Sequence, residues 1–531
     1  PTQMGCLKSA KVELRRKADM AVTKDSQSTL FSLITNPRPY FCFVAGIIGI
    51  ALVLRLVGLN RGIWFDEYRA VGIISIQTWL PPLEIFRFYD HPPLYFVLLK
   101  LWSHINSSEP FLRLLSVLCG MGTLIILMRW MKQYCRQAAL IAGLCCATFP
   151  MMLRYSQEIR NYPLLLFATA LSFFYATHLV AKPHRLLSYL KLLMSFILLV
   201  STHAVGIMVL PSVFFYMYLN PSLRKNINPA YVAFLVTIPL LIFVVTFFVF
   251  MQNTIKQPDT WWIPPASLTF IGYQVKRLFG LWPLTHCVTD YFPAAKSFVL
   301  PFLALSGVFF SIFGDWKRSF PLFAAAFFYW LTLIVFSNLV LPIFLAMTAL
   351  PGLIPFIGFL GVHISTIQIR KVKIAAVLIL MLFCAVSVRG WVRSADLCYD
   401  RSKNIVHLLN VRHRPGDIII FFPNTIRGLM GYYGKFSPES TITIGFREGV
   451  NSVDKKLNKT LEALAVRSGR QHIFWIARLH HKVEGGRVVK KVRGDRMRYL
   501  QKKCKKPIFA KQMGMFSLSE FKVRRKPRPD R

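Results

Sequence analysis

A chain of 531 residues with 54% hydrophobic side chains and 45 phenylalanines carries more apolar surface than a water-soluble core of its length needs, which excludes an ordinary soluble enzyme. The net charge of +42, with roughly half of the Lys and Arg after residue 391, fits either a nucleic-acid-binding tail or a domain lying against anionic lipid. In a membrane chain the lipid reading is preferred, and no nucleic-acid partner is expected.

Residues 1–38 are polar and basic, with no signal-peptide pattern, and Lys8, Lys11, Arg15, Arg16 and Lys17 set this tail on the cytoplasmic side. Apolar runs of roughly 20 residues can cross a bilayer. They recur from about residue 40 to 391, giving eleven predicted spans: 40–59, 110–128, 137–153, 163–180, 186–202, 204–219, 230–250, 297–314, 320–337, 341–362 and 374–391. Arg55, near the end of the first, is placed to snorkel to the interface. The apolar stretch His91–Ile105 is too short to span and carries Lys100 and His104, so it is expected to lie in the outer interface. That choice puts the basic loops around Arg129–Arg136, His184–Arg185, Arg224–Lys225, Lys317–Arg318 and Arg370–Lys373 on the cytoplasmic side. Leu268–Leu281, with Lys276 and Arg277, reads as a second interfacial helix.

The chain thus divides into a cytoplasmic tail (1–38), a transmembrane domain (39–391), an extracytoplasmic α/β unit (392–521) and a basic tail (522–531) expected to be disordered. In the α/β unit, strands are expected at Asp417–Phe422, Thr441–Gly445, His472–Ala477 and Gln512–Leu518, and helices at Arg427–Gly434, Val453–Ser468 and Arg496–Cys504. No glycine-rich phosphate loop follows these strands. Most of the ten cysteines sit in apolar runs and show no zinc spacing; Cys287, Cys398 and Cys504 fall outside the spans.

All the conspicuous polar groupings fall on the outer side. Asp66 and Glu67 are adjacent carboxylates after the first span, suited either to taking a hydroxyl proton or to pairing with Arg61 and Arg69. His91, followed by two prolines that fix a helix start, can bind metal or phosphate, or simply begin a helix. The run Tyr155–Tyr162 holds Gln157, Glu158, Arg160 and Tyr162. If it opens a helix, Glu158 and Tyr162 stack; Arg160 offers a planar fork for a phosphate, and Glu158 can instead pair with Arg154. His203, Trp261, Trp262, Tyr273, His286 and Asp290 are weaker candidates, the aromatics being ordinary members of an interfacial belt.

In their order, W-F-D-E (Trp64–Glu67), H-P-P-L-Y (His91–Tyr95), R-L-L-S (Arg113–Ser116), Y-S-Q-E-x-R-x-Y (Tyr155–Tyr162), W-I-P-P-x-S-L (Trp262–Leu268) and G-D-I-I-I from Gly416 resemble one family. It is the bacterial branch of the dolichyl-phosphate-mannose protein mannosyltransferases, glycosyltransferase family 39, with the lipid A aminoarabinose transferases as relatives. The resemblance implies an α-helical polytopic membrane protein of the GT-C fold in the bacterial cytoplasmic membrane. It further implies inverting transfer of a sugar from a polyprenyl-phosphate donor to a lipid, glycan or protein acceptor at the outer face. Asp66 and Glu67 are then the catalytic pair, with Asp66 the base. Arg160, Arg154 and Lys276 bind donor phosphate, and His91, Glu158, Tyr162 and Gln157 position substrate. A divalent metal ion would fall to Glu67, His91 and Glu158. Where family members often carry an Arg-Tyr pair, this chain has Ile343 and Phe344. A flippase or transporter of lipid-linked glycans is the alternative, although no half-to-half repeat is seen; a non-catalytic anchor for the C-terminal unit is a third.

Overall fold

The structure, a computed structural model, describes residues 37–74, 91–181, 186–220, 229–255, 263–279, 312–398, 402–414, 417–422, 426–434 and strand segments between 441 and 522. The membrane part is a helix bundle: α1 (Pro37–Leu56), α2 (Phe65–Ile74), α3 (Leu94–Ser103), α4 (Glu109–Lys132), α5 (Arg136–Thr148), α6 (Pro150–Tyr155), α7 (Tyr162–Ala181), α8 (Leu186–Thr202), α9 (Val209–Leu219), α10 (Pro229–Ile255), α11 (Leu268–Leu278), α12 (Trp316–Leu339), α13 (Leu353–Thr366) and α14 (Arg370–Cys398). Among the described residues five helices are long and apolar enough to cross a membrane: α1, α4, α7, α12 and α14. Shorter apolar helices, α8 among them with 17 residues, fill in between.

Local chemistry sets the ends. Ser108, in extended conformation, precedes α4, Pro110 lies in its first turn, and Arg129 and Lys132 occupy its last turn, where cations meet the carbonyl end of the helix. Ser267 and Asp315 cap α11 and α12 by accepting the N–H groups of Phe270 and Arg318. Small residues allow close packing of α5 on α13: a side chain at Gly361 would meet the Ala138 carbonyl 2.7 Å away.

The helix pair α5–α6 breaks at Pro150, which has no N–H to offer the Cys146 carbonyl one turn back. Arg55 supplies the missing donor. Its Nη2 lies 3.0 Å from the Cys146 carbonyl oxygen, Nη1 reaches those of Ala51 and Ala147, and Nε donates to Ser156 Oγ at 3.2 Å. Arg55 is therefore buried rather than snorkelling, at 1% exposure. A lone charge in hydrocarbon is costly, and the carbonyls freed by the proline account for its placement.

Most predicted spans map onto these helices, with 137–153 divided between α5 and α6 and 204–219 opening as a 3-10 turn (Ala204–Met208) before α9; two depart further. Span 297–314 falls almost wholly outside the described residues. The span 341–362 is replaced by an irregular stretch at 341–349, then a 3-10 turn at Leu350–Gly352 and α13. Ser337 Oγ accepts the N–H groups of Ile343 and Phe344, and Thr348 Oγ1 accepts that of Leu345, so side-chain hydroxyls hold this stretch out of a helix. Stretch 91–105 does not span: α3 buries Tyr95, Phe96 and Leu99 while Leu101 and Ile105 stay exposed.

Beyond α14, α15 (Ser402–Arg412) and α16 (Ile426–Tyr433) accompany a five-stranded sheet of order β2-β1-β3-β7-β6. Its strands are β1 (Ile418–Phe422), β2 (Thr441–Thr443), β3 (His472–Arg478), β6 (Phe509–Met513) and β7 (Phe516–Lys522); β4 (Lys482–Glu484) and β5 (Arg487–Val489) form a separate hairpin. β1 pairs parallel with β2 and β3, and β7 antiparallel with β3 and β6. The strand expected over 512–518 is corrected: Met513 ends β6 and pairs with Phe516 of β7, and an alternation read across Gly514 hides the reversal. Residues 1–36, the helices expected at 453–468 and 496–504, and the tail after 522 lie outside the described residues. The unit packs on the bundle through α16: the Tyr433 hydroxyl accepts the Ile63 N–H at 2.6 Å, and Tyr68 of α2 lies against Gly428.

Candidate active site

At one end of the bundle, α2 and the loop 156–161 meet. Glu67 is the hinge of that meeting. In the first turn of α2 it reaches back to the Trp64 N–H at 3.2 Å, half of a capping box. Its two oxygens also take a fork from Arg113 of α4, Nε–Oε1 2.9 Å and Nη2–Oε2 2.7 Å, and Oε1 accepts the Ile159 N–H at 3.0 Å. Arg113 in turn donates to the carbonyls of Leu59, Arg61 and Gly62. Both side chains are fully buried. Burial alone would push the Glu67 carboxyl upward, but the Arg113 charge and hydrogen bonds overcome it and hold the group below its usual value. Glu67 thus builds the site and is not an available base.

Asp66, one residue earlier, faces the other way. Its side chain is 25% exposed, against 0% for Glu67, and Oδ2 lies 3.3 Å from Arg160 Nη1. The guanidinium of Arg160 also stands over the Tyr162 ring, 5.5 Å from its centroid. Nearby, Arg154 Nε pairs with Glu158 Oε1 at 2.7 Å and its guanidinium lies over Trp64 and Tyr155. Arg277, from α11, is held beside Arg154, Tyr155 and Glu158; burial, the largest influence, lowers its pKa. Arg154, Arg160 and Arg277 gather here, with the exposed Arg69 nearby, against Asp66 and Glu158, so the local charge is net positive and favours an anion.

Two imidazoles complete the wall. His91 and His203 lie with ring centroids 4.6 Å apart, and His203 lies 5.1 Å from Tyr162. Burial, then the neighbouring charges of Arg160 and Arg69 and the other imidazole, hold His91 well below its ordinary value; burial and Arg160 push His203 down to about 3. His203 Nδ1 accepts the Val205 N–H at 3.1 Å, so the neutral ring carries its proton on Nε2, a buried atom with no hydrogen-bond partner among the described residues. It is a donor awaiting an acceptor. The unfolded chain binds protons at these rings near 6.5 while the folded chain resists until far lower, so stability should fall as pH drops from 6.5 toward about 3. Thermal unfolding of wild type and His203→Gln across this range checks the sign: the variant should lose less on acidification, and an equal loss would contradict it.

Several sequence expectations are corrected here. Gln157 does not face substrate: its Nε2 donates to the carbonyls of Leu54, Arg55 and Val57, while Oε1 accepts from Arg61, so it seals the end of α1. Residues 156–161 form a turn, and the helix begins only at Tyr162, so Glu158 and Tyr162 do not stack as helical neighbours. Lys276 is not the cation that joins the chamber; its neighbour Arg277 is. A one-residue step on a helix turns a side chain by 100°, and Gln274, one turn before Arg277, accepts the Ala346 N–H at 2.9 Å and fixes that face inward. Of the three residues suggested for a divalent cation, Glu67 is held through both oxygens by Arg113, whereas Glu158 pairs with Arg154 through Oε1 and its buried Oε2 makes no hydrogen bond among the described residues, so it is Glu67 that does not fit as a ligand. Among the described residues no group of three His, Cys, Asp or Glu side chains is placed to hold a metal ion. His203, a minor candidate by sequence, is at the centre; Arg113 was noted only as the start of the R-L-L-S motif and Arg277 only as a charge on the interfacial helix, neither with a site role. Ile343 is half-buried and Phe344 buried, in the irregular stretch before α13. Trp261, Trp262, His286 and Asp290 lie outside the described residues.

Residues 90–251 match the family described as dolichyl-phosphate-mannose-protein mannosyltransferase. No curated protein sequence matches the chain. Among solved structures, the apo ArnT of Cupriavidus metallidurans aligns with a TM-score of 0.53 at 12% identity, covering 90% of this chain and 98% of that one. The same protein bound to undecaprenyl phosphate gives 0.48 at 13% identity, covering 90% and 97%. The Archaeoglobus fulgidus oligosaccharyltransferase with zinc and sulfate gives 0.46 at 10% identity, covering 82% and 68%. Residues 90–251 thus carry the sequence pattern of that family, and over most of its length the chain shares the fold of the solved ArnT.

Proposed function

We propose that the chain is a glycosyltransferase that moves a sugar from a polyprenyl-phosphate donor to a hydroxyl acceptor, with inversion, at the outer face of the bacterial cytoplasmic membrane. The observation that carries this reading is Asp66: an accessible carboxylate at the end of a membrane bundle, set in a chamber with surplus arginine. Asp66 takes the proton of the acceptor hydroxyl as that oxygen forms its bond to the anomeric carbon. The bond from that carbon to the phosphate oxygen breaks, and polyprenyl phosphate leaves with the electron pair. Arg154, Arg160 and Arg277 stabilise the charge gathering on the departing phosphate, in a site where burial strengthens each interaction. His203 Nε2 supplies a further hydrogen bond to a donor oxygen.

The pair Ile343–Phe344 removes a cation from one wall, and Arg277 on the adjoining helix restores one. The stretch 341–349 and α11 are joined through Gln274 and Ala346, which supports that exchange.

Incubating the purified protein with labelled polyprenyl-phosphate sugars and a membrane lipid extract tests the reading. Covalent transfer without an energy source is expected, and the labelled product reveals whether lipid, glycan or protein is the acceptor. Movement of intact donor across the bilayer without bond cleavage would overturn the proposal in favour of a flippase. In the same assay Arg277→Gln should raise the donor KM about 10–100-fold, as loss of a charge-assisted hydrogen bond implies, and Lys276→Gln should change it little. Equal effects would remove Arg277 from the phosphate site.

A further inference from the structure

A second groove lies at the other end of the bundle. It encloses about 440 Å³ between α1, α4 and α7 and is lined by Tyr40, Val44 and Ile48, by Met128, Arg129 and Lys132, and by Phe174 and His178, among others. Each helix contributes one stripe. Positions 40, 44 and 48 recur every four residues on α1, positions 125, 128, 129 and 132 share a face of α4, and positions 174 and 178 are one turn apart on α7. The groove begins at Tyr40, over whose ring stand Lys132 Nζ at 5.6 Å and Arg136 Cζ at 5.5 Å. From there its apolar floor runs to Ile48, roughly 12 Å along the helix axis.

Its place is fixed by the same helices that hold the active site. Arg113 anchors Glu67 near the start of α4, and Lys132 is 19 residues later, roughly 28 Å away along the axis. That separation is close to the thickness of a bilayer's hydrocarbon core, so the groove opens on the leaflet opposite Asp66. Phe41 and Ile125 on its walls are 61% and 41% exposed, as residues facing lipid should be. No carboxylate is among its described lining residues, whereas Arg129, Lys132 and His178 are.

We infer that this groove binds an anionic phospholipid of the leaflet opposite the active site, with the phosphodiester among Arg129, Lys132 and Arg136 and one acyl chain along Val44 and Ile48. Charge complementarity selects the occupant: the cationic rim matches a headgroup of net negative charge and the apolar floor matches its chain. A zwitterionic lipid brings its own cation against that rim. The bound lipid bridges α1 to α4 and α7, so its binding stabilises the first helix against the bundle. This inference does not depend on the proposed catalytic activity.

The full-length protein, purified in detergent and stripped of lipid, is titrated with phosphatidylglycerol, phosphatidylcholine, glycerol 3-phosphate and undecaprenyl phosphate while its thermal unfolding is followed. Phosphatidylglycerol should raise the unfolding temperature at a lipid ratio where phosphatidylcholine does nothing. In the double variant R129Q/K132Q the half-saturating ratio should rise about 10–30-fold, since each cation near an anionic surface contributes about one factor of several. R129K/K132R, which keeps the charge, should respond as wild type does. These residues are exposed, so the variants retain the fold, which the unfolding temperature without lipid verifies. Equal responses to phosphatidylglycerol and phosphatidylcholine, or an unchanged response in R129Q/K132Q, would overturn the inference. An equal shift with glycerol 3-phosphate would show a headgroup anion site without a chain groove. Tighter binding of undecaprenyl phosphate that is lost in R129Q/K132Q would assign the groove to the donor lipid. Either of these last results would also overturn it.

Discussion

Asp66→Asn should lower the rate of sugar transfer by about 10²–10⁴-fold, the usual contribution of a positioned general base, while leaving the fold and donor binding nearly intact. The substitution keeps the shape of the side chain and removes its charge. Asp66 is 25% exposed and pairs with Arg160 at 3.3 Å, so its carboxylate is partly solvated. Removing a partly solvated ion pair of this kind changes stability by about 1 kcal/mol or less. Release of Arg160 from its partner should, if anything, strengthen retention of polyprenyl phosphate. Transfer rates under saturating donor, with thermal unfolding as a control, give the result. A folded Asp66→Asn protein that transfers at the wild-type rate would take the base assignment away from this residue.

Glu67→Ala is expected to fail for a different reason. It leaves the Arg113 guanidinium buried among the carbonyls of Leu59, Arg61 and Gly62 without its paired carboxylate, and breaking a buried pair in this way costs about 3–5 kcal/mol. It also removes acceptors from the Trp64 and Ile159 N–H groups, so the turn bearing Asp66 and the loop bearing Arg160 lose their common anchor. Activity should disappear together with stability. The double substitution Glu67→Ala with Arg113→Leu should cost less than the sum of the singles, because no unpaired charge is left inside. The Glu67 pKa is held low in the folded chain. Its stabilisation is therefore complete above the ordinary carboxylate range and is lost as pH falls through the lowered value. Thermal unfolding of the three variants at neutral pH decides the point. A Glu67→Ala protein as stable as wild type but inactive would return Glu67 to the chemistry.

The helical layout was legible because transmembrane spans are long apolar runs, a signal that needs no tertiary information. The short helix α3 followed from length and from the basic loops that a span at 91–105 would have misplaced. Arg55 and Gln157 were not legible. Both sit beside apolar runs, where Arg55 reads as a snorkelling cation and Gln157 as a substrate-positioning amide, yet their partners are carbonyls freed by Pro150 and by the end of α1, about a hundred residues away along the chain. The adjacent carboxylates Asp66 and Glu67 could not be told apart by sequence, since the choice depends on Arg113, which reaches Glu67 from another helix. Lys276 and Arg277 posed the same difficulty on one helix: only the packing of Gln274 against the stretch 341–349 shows which cation turns inward. The irregular backbone at 341–349 arose from hydroxyls at Ser337 and Thr348, which an apolar window averages away.

The most direct test is a structure of the full-length protein with a polyprenyl-phosphate sugar bound. The phosphate should lie within hydrogen-bonding distance of Arg160 and Arg277, the anomeric carbon should face the space beside Asp66, and a donor oxygen should meet His203 Nε2. A phosphate seated elsewhere, such as among Arg129 and Lys132 at the opposite end, with the Asp66 chamber empty, would contradict the account.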